Sequence, residues 1–328
     1  MTRKQDEITV DGFQEVLISV FNLDWCIAFY TEVFGYELYY RGWAADAQID
    51  FWQLPSKTRI EEALLGNRGD DTGFIRLVKF HDIEQQQIRS SARSWDVGGI
   101  FDLNFRVLNI AERFEQFQQW NWNGLSDPQR YQFGEFDVSE VIVQGHDGIH
   151  FALIERHQPP LEGFPNLKTF SQVFNSSHIC QDAKQTRRFF CEQLGFKTYM
   201  QVYSTDRPAA PNILGFPANV NKDLELDVTI VHPQGANIGS LEFIEIKGLE
   251  GSNFGGRSQP PNLGLLLYRF PVKGLAAYAE ELVRKGIELD VPITKLNWDQ
   301  IGAVEAFVIK SPDGLWLEFF EVASTNTN

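Results

Sequence analysis

The sequence is poor in the residues that build disulfide frameworks and membrane spans. Its 328 residues include three cysteines, Cys26, Cys180 and Cys191, and none lies in a CxxC or CxH spacing. An odd number of isolated cysteines is typical of reduced thiols, so we expect a cytoplasmic protein. No run of about 18 apolar residues occurs, and the first six residues are polar, so we expect neither a membrane span nor a signal peptide.

Positive charge is also scarce. The chain has 29 Lys and Arg against 44 Asp and Glu, a formal charge of −15 and a pI near 4.9. Nucleic acids and anionic membranes require a basic face, so we expect neither as a partner. The motifs GxSxG, GxGxxG and HExxH and the P-loop are missing as well. These absences leave a small-molecule substrate open as a partner.

An internal repeat is the strongest positive signal. The segment FYTEVFGYELYY, which begins at Phe29, corresponds to FFCEQLGFKTYM, which begins at Phe189, 160 residues further on. Each contains two aromatic residues, a glutamate, a bulky apolar residue, a glycine and another aromatic residue. A repeat of about half the chain indicates duplication, so each half can be compared with the other.

Each half is predicted to contain two βαβββ modules. In the first module a strand begins at Glu15, a helix runs from about Trp25 to Val33 and ends at Gly35, and further strands are expected at 36–41, 48–54 and 74–80. The later modules begin at about 99, 177 and 263.

A segment rich in proline separates the halves. Pro159, Pro160 and Pro165 interrupt regular structure. We therefore predict an N-terminal pair of modules over 1–157, a linker over 158–172 and a C-terminal pair over 173–328. Four modules complete two sheets within one chain, so a monomer or a homodimer is expected.

The module order, the two helix-ending glycines and the closing segment SPDGLWLEFFE, from Ser311 to Glu321, resemble the vicinal oxygen chelate superfamily. This superfamily includes glyoxalases, bleomycin-resistance proteins and extradiol dioxygenases. The resemblance covers nearly the whole chain. It implies an α+β fold in which four βαβββ modules form two pairs, each a curled mixed-sheet half-barrel around a central cleft.

The resemblance also implies a metal site in the C-terminal half. Superfamily ligands lie on the first and last strands of each module, and the matching residues here are His178, Glu242, Leu265 and Glu318. Leucine cannot bind a metal, so the site would have three ligands, one imidazole and two carboxylates, which suit Fe, Mn, Zn or Ni. Glu242 or Glu318 would also act as a catalytic base. The alternatives are ordinary strand roles for these residues and no metal at all.

The N-terminal half has lost these ligands, since its matching residues are Ile18, Arg76, Asp102 and Ala152. We interpret this half as a degenerate, supporting pair. Alternatively, Arg76 and Asp102 line a substrate cleft in which Arg76 binds a carboxylate. Tyr268 and Trp316 are further candidates for a substrate pocket.

Two pairings of the modules are open. Linear pairing, first with second and third with fourth, is our expectation because consecutive elements usually lie side by side. In a crossed pairing, Asp102, His178 and Glu242 would share one cleft, while Arg76 and Glu318 would form an ion pair in the other.

Two functions follow from the resemblance. One is a metal-dependent enzyme, glyoxalase-, isomerase- or lyase-like or dioxygenase-like, that acts on a small oxygen-rich or aromatic substrate. The other is a metal-free binding protein of the bleomycin-resistance type, with an aromatic-lined cleft.

Overall fold

The computed structural model describes residues 8–323. Most of the polar N-terminal segment that argues against a signal peptide therefore lies outside the described residues. None of the helices in this range is long and apolar enough to cross a membrane.

The described residues form four modules. The first contains β1 (Thr9–Val10), β2 (Glu15–Ser19), α1 (Leu23–Val33), β3 (Glu37–Trp43), α2 (Asp46–Phe51), β4 (Arg59–Gly66) and β5 (Phe74–His81). The second contains β6 (Asp102–Arg106), α3 (Ile110–Gln119), β7 (Asn123–Gly124), β8 (Gln129–Phe133), β9 (Phe136–Gln144) and β10 (His150–Gln158).

The C-terminal modules follow the same order. The third contains β11 (Asn175–Ile179), α4 (Ala183–Arg187), β12 (Lys197–Ser204), α5 (Ala218–Asn221), β13 (Glu225–His232) and β14 (Ser240–Lys247). The fourth contains β15 (Gly264–Lys273), α6 (Leu275–Arg284), β16 (Val291–Trp298), β17 (Gly302–Lys310) and β18 (Trp316–Val322).

The helical segments of the repeat begin and end alike in both halves, although α4 continues as a π-helix over Arg188–Gln193 where α1 stays α-helical. Asn22 caps α1 by accepting a hydrogen bond from Trp25 N at 3.1 Å, and Asp182 caps α4 in the same way from Gln185 N at 2.9 Å. Gly35 and Gly195 follow these helical segments with φ of +69° and +82°, where a side chain would be strained. The repeat therefore encodes a helix and its stop.

The strand expected at 48–54 is wrong, because most of this segment belongs to helix α2. Gln48, Ile49, Phe51 and Trp52 are all buried. Their spacing of i, i+1, i+3 and i+4 places them on one helical face, which a short apolar run does not distinguish from a buried strand. The strand itself, β4, comes later in the chain.

The two sheets pair the modules crosswise, so the linear pairing is wrong. The first sheet has the order β16-β17-β18-β15-β2-β5-β4-β3 and joins modules one and four. The second has the order β12-β13-β14-β11-β6-β10-β9-β7 and joins modules two and three. Segments 1–157 and 173–328 therefore each contribute one module to each sheet.

Modules one and two, and likewise modules three and four, also touch, but through helical segments rather than through a shared sheet. Phe29 of α1 packs edge-on against Phe117 of α3, with ring centroids 5.4 Å apart. In the C-terminal half, the Tyr278 hydroxyl of α6 donates a hydrogen bond to Leu194 O at 3.0 Å. The crossed arrangement therefore still keeps modules that are neighbours in the sequence in contact. Modules two and three are also neighbours in the sequence, and they share the second sheet. A large aromatic core fills the space between the two sheets.

Candidate active site in the second cleft

The two sheets differ in what fills their concave faces. The first cleft is packed with apolar side chains around a buried ionic network and leaves a cavity of only about 10 Å³. The second cleft encloses about 690 Å³, within the range of small-molecule binding sites. A candidate site for a ligand therefore lies between modules two and three.

Arginines and carboxylates occupy the first cleft. The Arg76 guanidinium donates hydrogen bonds to both Glu15 oxygens at 3.0 Å, and Arg269 contacts Glu15 Oε1 at 2.7 Å. Arg269 Nε also donates to Glu318 Oε1 at 2.7 Å. Burial raises the pKa of Glu15, but its two guanidinium partners outweigh this and hold the pKa below its usual value. Glu15 is therefore an ionised, structural carboxylate.

Three of the predicted site residues, Arg76, Glu318 and Trp316, lie in the first cleft. Glu318 accepts hydrogen bonds from Arg269 and from Trp52 Nε1, and it is fully buried. Arg76 and Glu318 belong to one network, but Glu15 and Arg269 stand between them. Trp316 is buried in the apolar filling of the same cleft. None of the three faces the large cavity.

A polar floor lies beneath the large cavity. Strand β6 presents Asp102, Asn104 and Arg106 to it, and β11 presents Asn175 and Ser177. The Asn104 amide donates a hydrogen bond to Ser177 Oγ at 3.1 Å, which holds the two strands' side chains together. Aliphatic side chains form part of the remaining wall: Ile142, Ile154, Val202, Val228, Ile230 and Ile244.

Two carboxyl groups flank this floor in one row. Ser177 of β11 is in register with Glu242 of the parallel strand β14 and with Asp102 of the antiparallel strand β6. Strands lie about 4.8 Å apart, and curling of the sheet tilts the side chains of such a row toward each other. Both carboxyl groups line the cavity.

Their environment disfavours the ionised form. Burial, followed by the negative charges of Asp102 and Glu140, raises the pKa of Glu242 to about 8. Burial is also the main cause that raises the pKa of Asp102 to about 7. The positive charge of Arg106 opposes the shift at Glu242, and that of Arg89 opposes it at Asp102. The pair can therefore exchange protons near neutral pH.

His178 lies on the opposite face of the sheet. It follows Ser177, and successive strand residues alternate between faces, so His178 is in register with Phe243 rather than Glu242. Its ring packs between Phe190 and Phe243, and neither ring nitrogen has a hydrogen-bond partner within residues 8–323. Burial lowers the pKa of His178 to about 3, so it is a neutral core residue.

The expected set of His178, Glu242 and Glu318 is therefore not brought together. The first lies in the aromatic core, the second in the large cavity, and the third in the ionic network of the other sheet. The crossed alternative placed Asp102 and Glu242 in one cleft, and this part agrees with the structure. Tyr268 lies in the core as well, where its hydroxyl and Ser176 Oγ are hydrogen-bonded at 2.7 Å.

Neither cleft fits the metal site that the resemblance implies. Guanidinium groups already neutralise the carboxylates of the first cleft. In the second cleft, the imidazole ligand is missing because His178 faces away. Within residues 8–323, no group of three His, Cys, Asp or Glu ligands in this cleft brings its ligand atoms within 4.8 Å of one another. The residues that the resemblance implies as metal ligands are therefore not arranged as one metal site in either cleft.

A different group of atoms could hold a cation. Cys26, His146 and Asp147 place a sulfur, a nitrogen and an oxygen within 4.8 Å of one another. Asp147 also accepts a hydrogen bond from Phe21 N at 3.2 Å, and its counterpart Asp313 accepts one from Gln181 N at 3.0 Å. The aspartate therefore has a structural role in both halves. Sequence reasoning missed the group because Cys26 lies on α1, 120 residues before the turn that carries His146 and Asp147.

Sequence reasoning also missed Glu140 and Arg106 in the large cavity. Glu140 accepts a hydrogen bond from the Tyr131 hydroxyl, and burial raises its pKa. Arg106 belongs to the run DLNFR, in which polar and apolar residues alternate strictly. That alternation is the signal that could have placed Asp102, Asn104 and Arg106 together on a cleft-facing side.

Solved structures with a similar fold include enzymes. Glyoxalase I from Zea mays has 15% sequence identity and a TM-score of 0.60, and the match covers 97% of this chain and 94% of that chain. A dioxygenase candidate from Bacillus subtilis subsp. subtilis str. 168 has 12% identity and a TM-score of 0.60, with 96% and 86% covered. The chain has the vicinal oxygen chelate fold.

The two sheets, each built from two modules, confirm the predicted architecture of four modules in two curled sheets. The sequence matches no protein-family model and no curated protein. At these identities the likeness concerns the fold alone. The residues that line this chain's own cavity are therefore the basis for its function.

Proposed function

We propose that this chain is an enzyme that transfers protons on a small oxygen-rich molecule bound in the second cleft. The observation that carries the proposal is the row of Asp102 and Glu242. Both face one cavity, and within residues 8–323 neither forms an ion pair. Carboxyl groups with a pKa near the working pH are effective general acids and bases.

The two carboxyl groups have different roles, one as general base and the other as general acid. The pKa of Asp102 is raised to about 7, so it is the more readily ionised and accepts a proton from a carbon next to a carbonyl group. The pKa of Glu242 is raised to about 8, so it is mostly protonated at neutral pH and donates its proton to the carbonyl oxygen. The product of this step is an enol, and the reverse step returns a proton to carbon. This is isomerase- or lyase-type chemistry.

Proton exchange provides a test that needs no known product. A panel of ketones, 2-oxo acids and 2-hydroxy acids is incubated with the protein in D₂O, and the loss of C–H signal is followed by NMR. We expect exchange with at least one probe, and we expect Glu242→Gln to slow it by about 100-fold or more, as removal of a general acid does. Glu288→Gln, at an exposed position, is the matched control.

A second function is favoured by the aliphatic wall of the cavity. A metal-free binding protein would hold an apolar ligand there without chemistry. Residues of the segment 204–214 line the cavity and add apolar contacts for such a ligand. If probes bind by calorimetry but no probe exchanges, the enzyme proposal fails and the binding function replaces it.

A further inference from the structure

The buried arginines of this protein differ in how their charge is satisfied. In the first cleft, Arg76 pairs with Glu15 and Glu62, and Arg269 pairs with Glu15 and Glu318. Outside the clefts, Arg89 donates hydrogen bonds to the carbonyl oxygens of Gly98 and Asp96, both at 2.9 Å. These cases follow the rule that a buried cation has acceptors nearby.

Arg106 departs from this rule. Arg106 is only 7% exposed, and its Nε has no hydrogen-bond partner. Within residues 8–323, no carboxylate lies within ion-pair distance of its guanidinium group. Its guanidinium stacks on the Phe174 ring at 4.3 Å, which fixes its direction. The side chain lines the large cavity. The carboxyl group of Glu140, which also lines the cavity, is hydrogen-bonded to Tyr131 instead.

A second arginine adds to this charge. Arg156 lines the same cavity, stacks on the Phe136 ring at 4.2 Å, and has a buried Nε without a partner. Burial and the neighbouring charge of Arg156 lower the pKa of Arg106 to about 10. Two guanidinium groups thus lie near each other and face the cavity, and within residues 8–323 neither forms an ion pair with a carboxylate.

We propose that Arg106, assisted by Arg156, binds the carboxylate of a ligand whose apolar body lies along the aliphatic wall of the cavity. The substrate class is then a carboxylic acid with a hydrocarbon chain or ring. A guanidinium binds a carboxylate with two parallel hydrogen bonds, and a partner supplied by the ligand removes the cost of the unpaired cation. A singly charged carboxylate suits a cavity that is also lined by four acidic residues better than a doubly charged phosphate does.

This inference deepens the proposed function, because it names the substrate class of the same cavity. Calorimetric titrations with octanoate, octan-1-ol, octylamine and octyl phosphate isolate the charge of the headgroup on a constant tail. We expect octanoate to bind at least about 10-fold more tightly than octan-1-ol, the value of a hydrogen bond to a charged group. Octylamine should bind more weakly than octan-1-ol.

Variants connect that preference to the two arginines. Arg106→Met should weaken octanoate binding by about 10- to 100-fold and leave octan-1-ol binding unchanged within about 2-fold. Arg106→Lys, which keeps the charge but loses the fork of donors, should lie between the two. Arg257→Met is the matched control, since Arg257 also stacks on an aromatic ring but is exposed. Should Arg106→Met not fold, Arg156→Met at the less buried position provides the same comparison.

The proposal is overturned if octanoate and octan-1-ol bind equally, if Arg106→Met changes neither, or if octyl phosphate binds more tightly than octanoate. Its failure is distinct from failure of the proposed function. Exchange of a 2-oxo acid that is insensitive to Arg106→Met would refute the carboxylate site and leave proton transfer intact. Tight, Arg106-dependent octanoate binding without any exchange would do the opposite.

Discussion

The charge state of Glu242 can be measured without knowing a substrate. Its pKa is raised from 4.5 to about 8 in the folded protein, chiefly by burial and then by Asp102 and Glu140. A carboxyl group with a raised pKa stabilises the fold while it stays protonated. That contribution is complete below pH 4.5 and is lost as the pH rises through about 8. Glu242→Gln removes this titration.

The size of the expected change in unfolding free energy follows from the pKa shift of Glu242. One pKa unit corresponds to about 1.4 kcal/mol, so the whole shift has an upper bound of about 5 kcal/mol. Water in the cavity screens the side chain, so we expect about 1–3 kcal/mol. Between pH 5 and pH 8, the free energy of unfolding of Glu242→Gln should rise by this amount relative to the unsubstituted protein.

Urea unfolding at several pH values provides the assay. The quantity to compare is the difference in unfolding free energy between Glu242→Gln and the unsubstituted protein, with Glu288→Gln at an exposed position as control. A difference that stays constant from pH 5 to pH 8 would refute the reasoning, because Glu242 would then titrate alike in the folded and unfolded chains.

Three further predictions concern stability and composition. Arg269→Met leaves Glu15 and Glu318 short of a partner and should lower the free energy of unfolding by about 3–5 kcal/mol in urea; a loss under 1 kcal/mol would contradict a buried network. Asp313→Ala removes the acceptor of Gln181 N and Thr186 Oγ1 and should cost about 1–3 kcal/mol by the same measurement, whereas a neutral result would remove its structural role. His178→Leu should leave stability equal or up to about 2 kcal/mol higher, with unchanged metal content by elemental analysis; loss of a bound metal would show that His178 is a ligand after all.

The local structure of the modules could be predicted from the sequence because its signals act over a few residues. The caps at Asn22 and Asp182 and the positive φ at Gly35 and Gly195 belong to the chain's own neighbourhood. The fold of four modules followed from these units and their repetition. The helix at α2 was missed because its short apolar run suits a buried strand equally well.

The candidate site could be predicted only in part. Asp102 and Glu242 were identified, but the segment NSSHI of β11 has polar residues on both faces, so its sequence does not say which face meets the cleft. A shift of one residue exchanges His178 for Ser177. Register with β14 and β6 settles this choice, and register is a property of the assembled sheet.

The sequence by itself determined the duplication, the modules and the type of fold. Tertiary structure alone decided that modules one and four share a sheet, and this pairing distributes the charges. It places Arg76 and Arg269 among carboxylates in a filled cleft, and it leaves Arg106 facing an open cavity beside Asp102 and Glu242. The physical reason is that charge pairing and cavity shape depend on contacts between residues far apart in the chain, which no local pattern encodes.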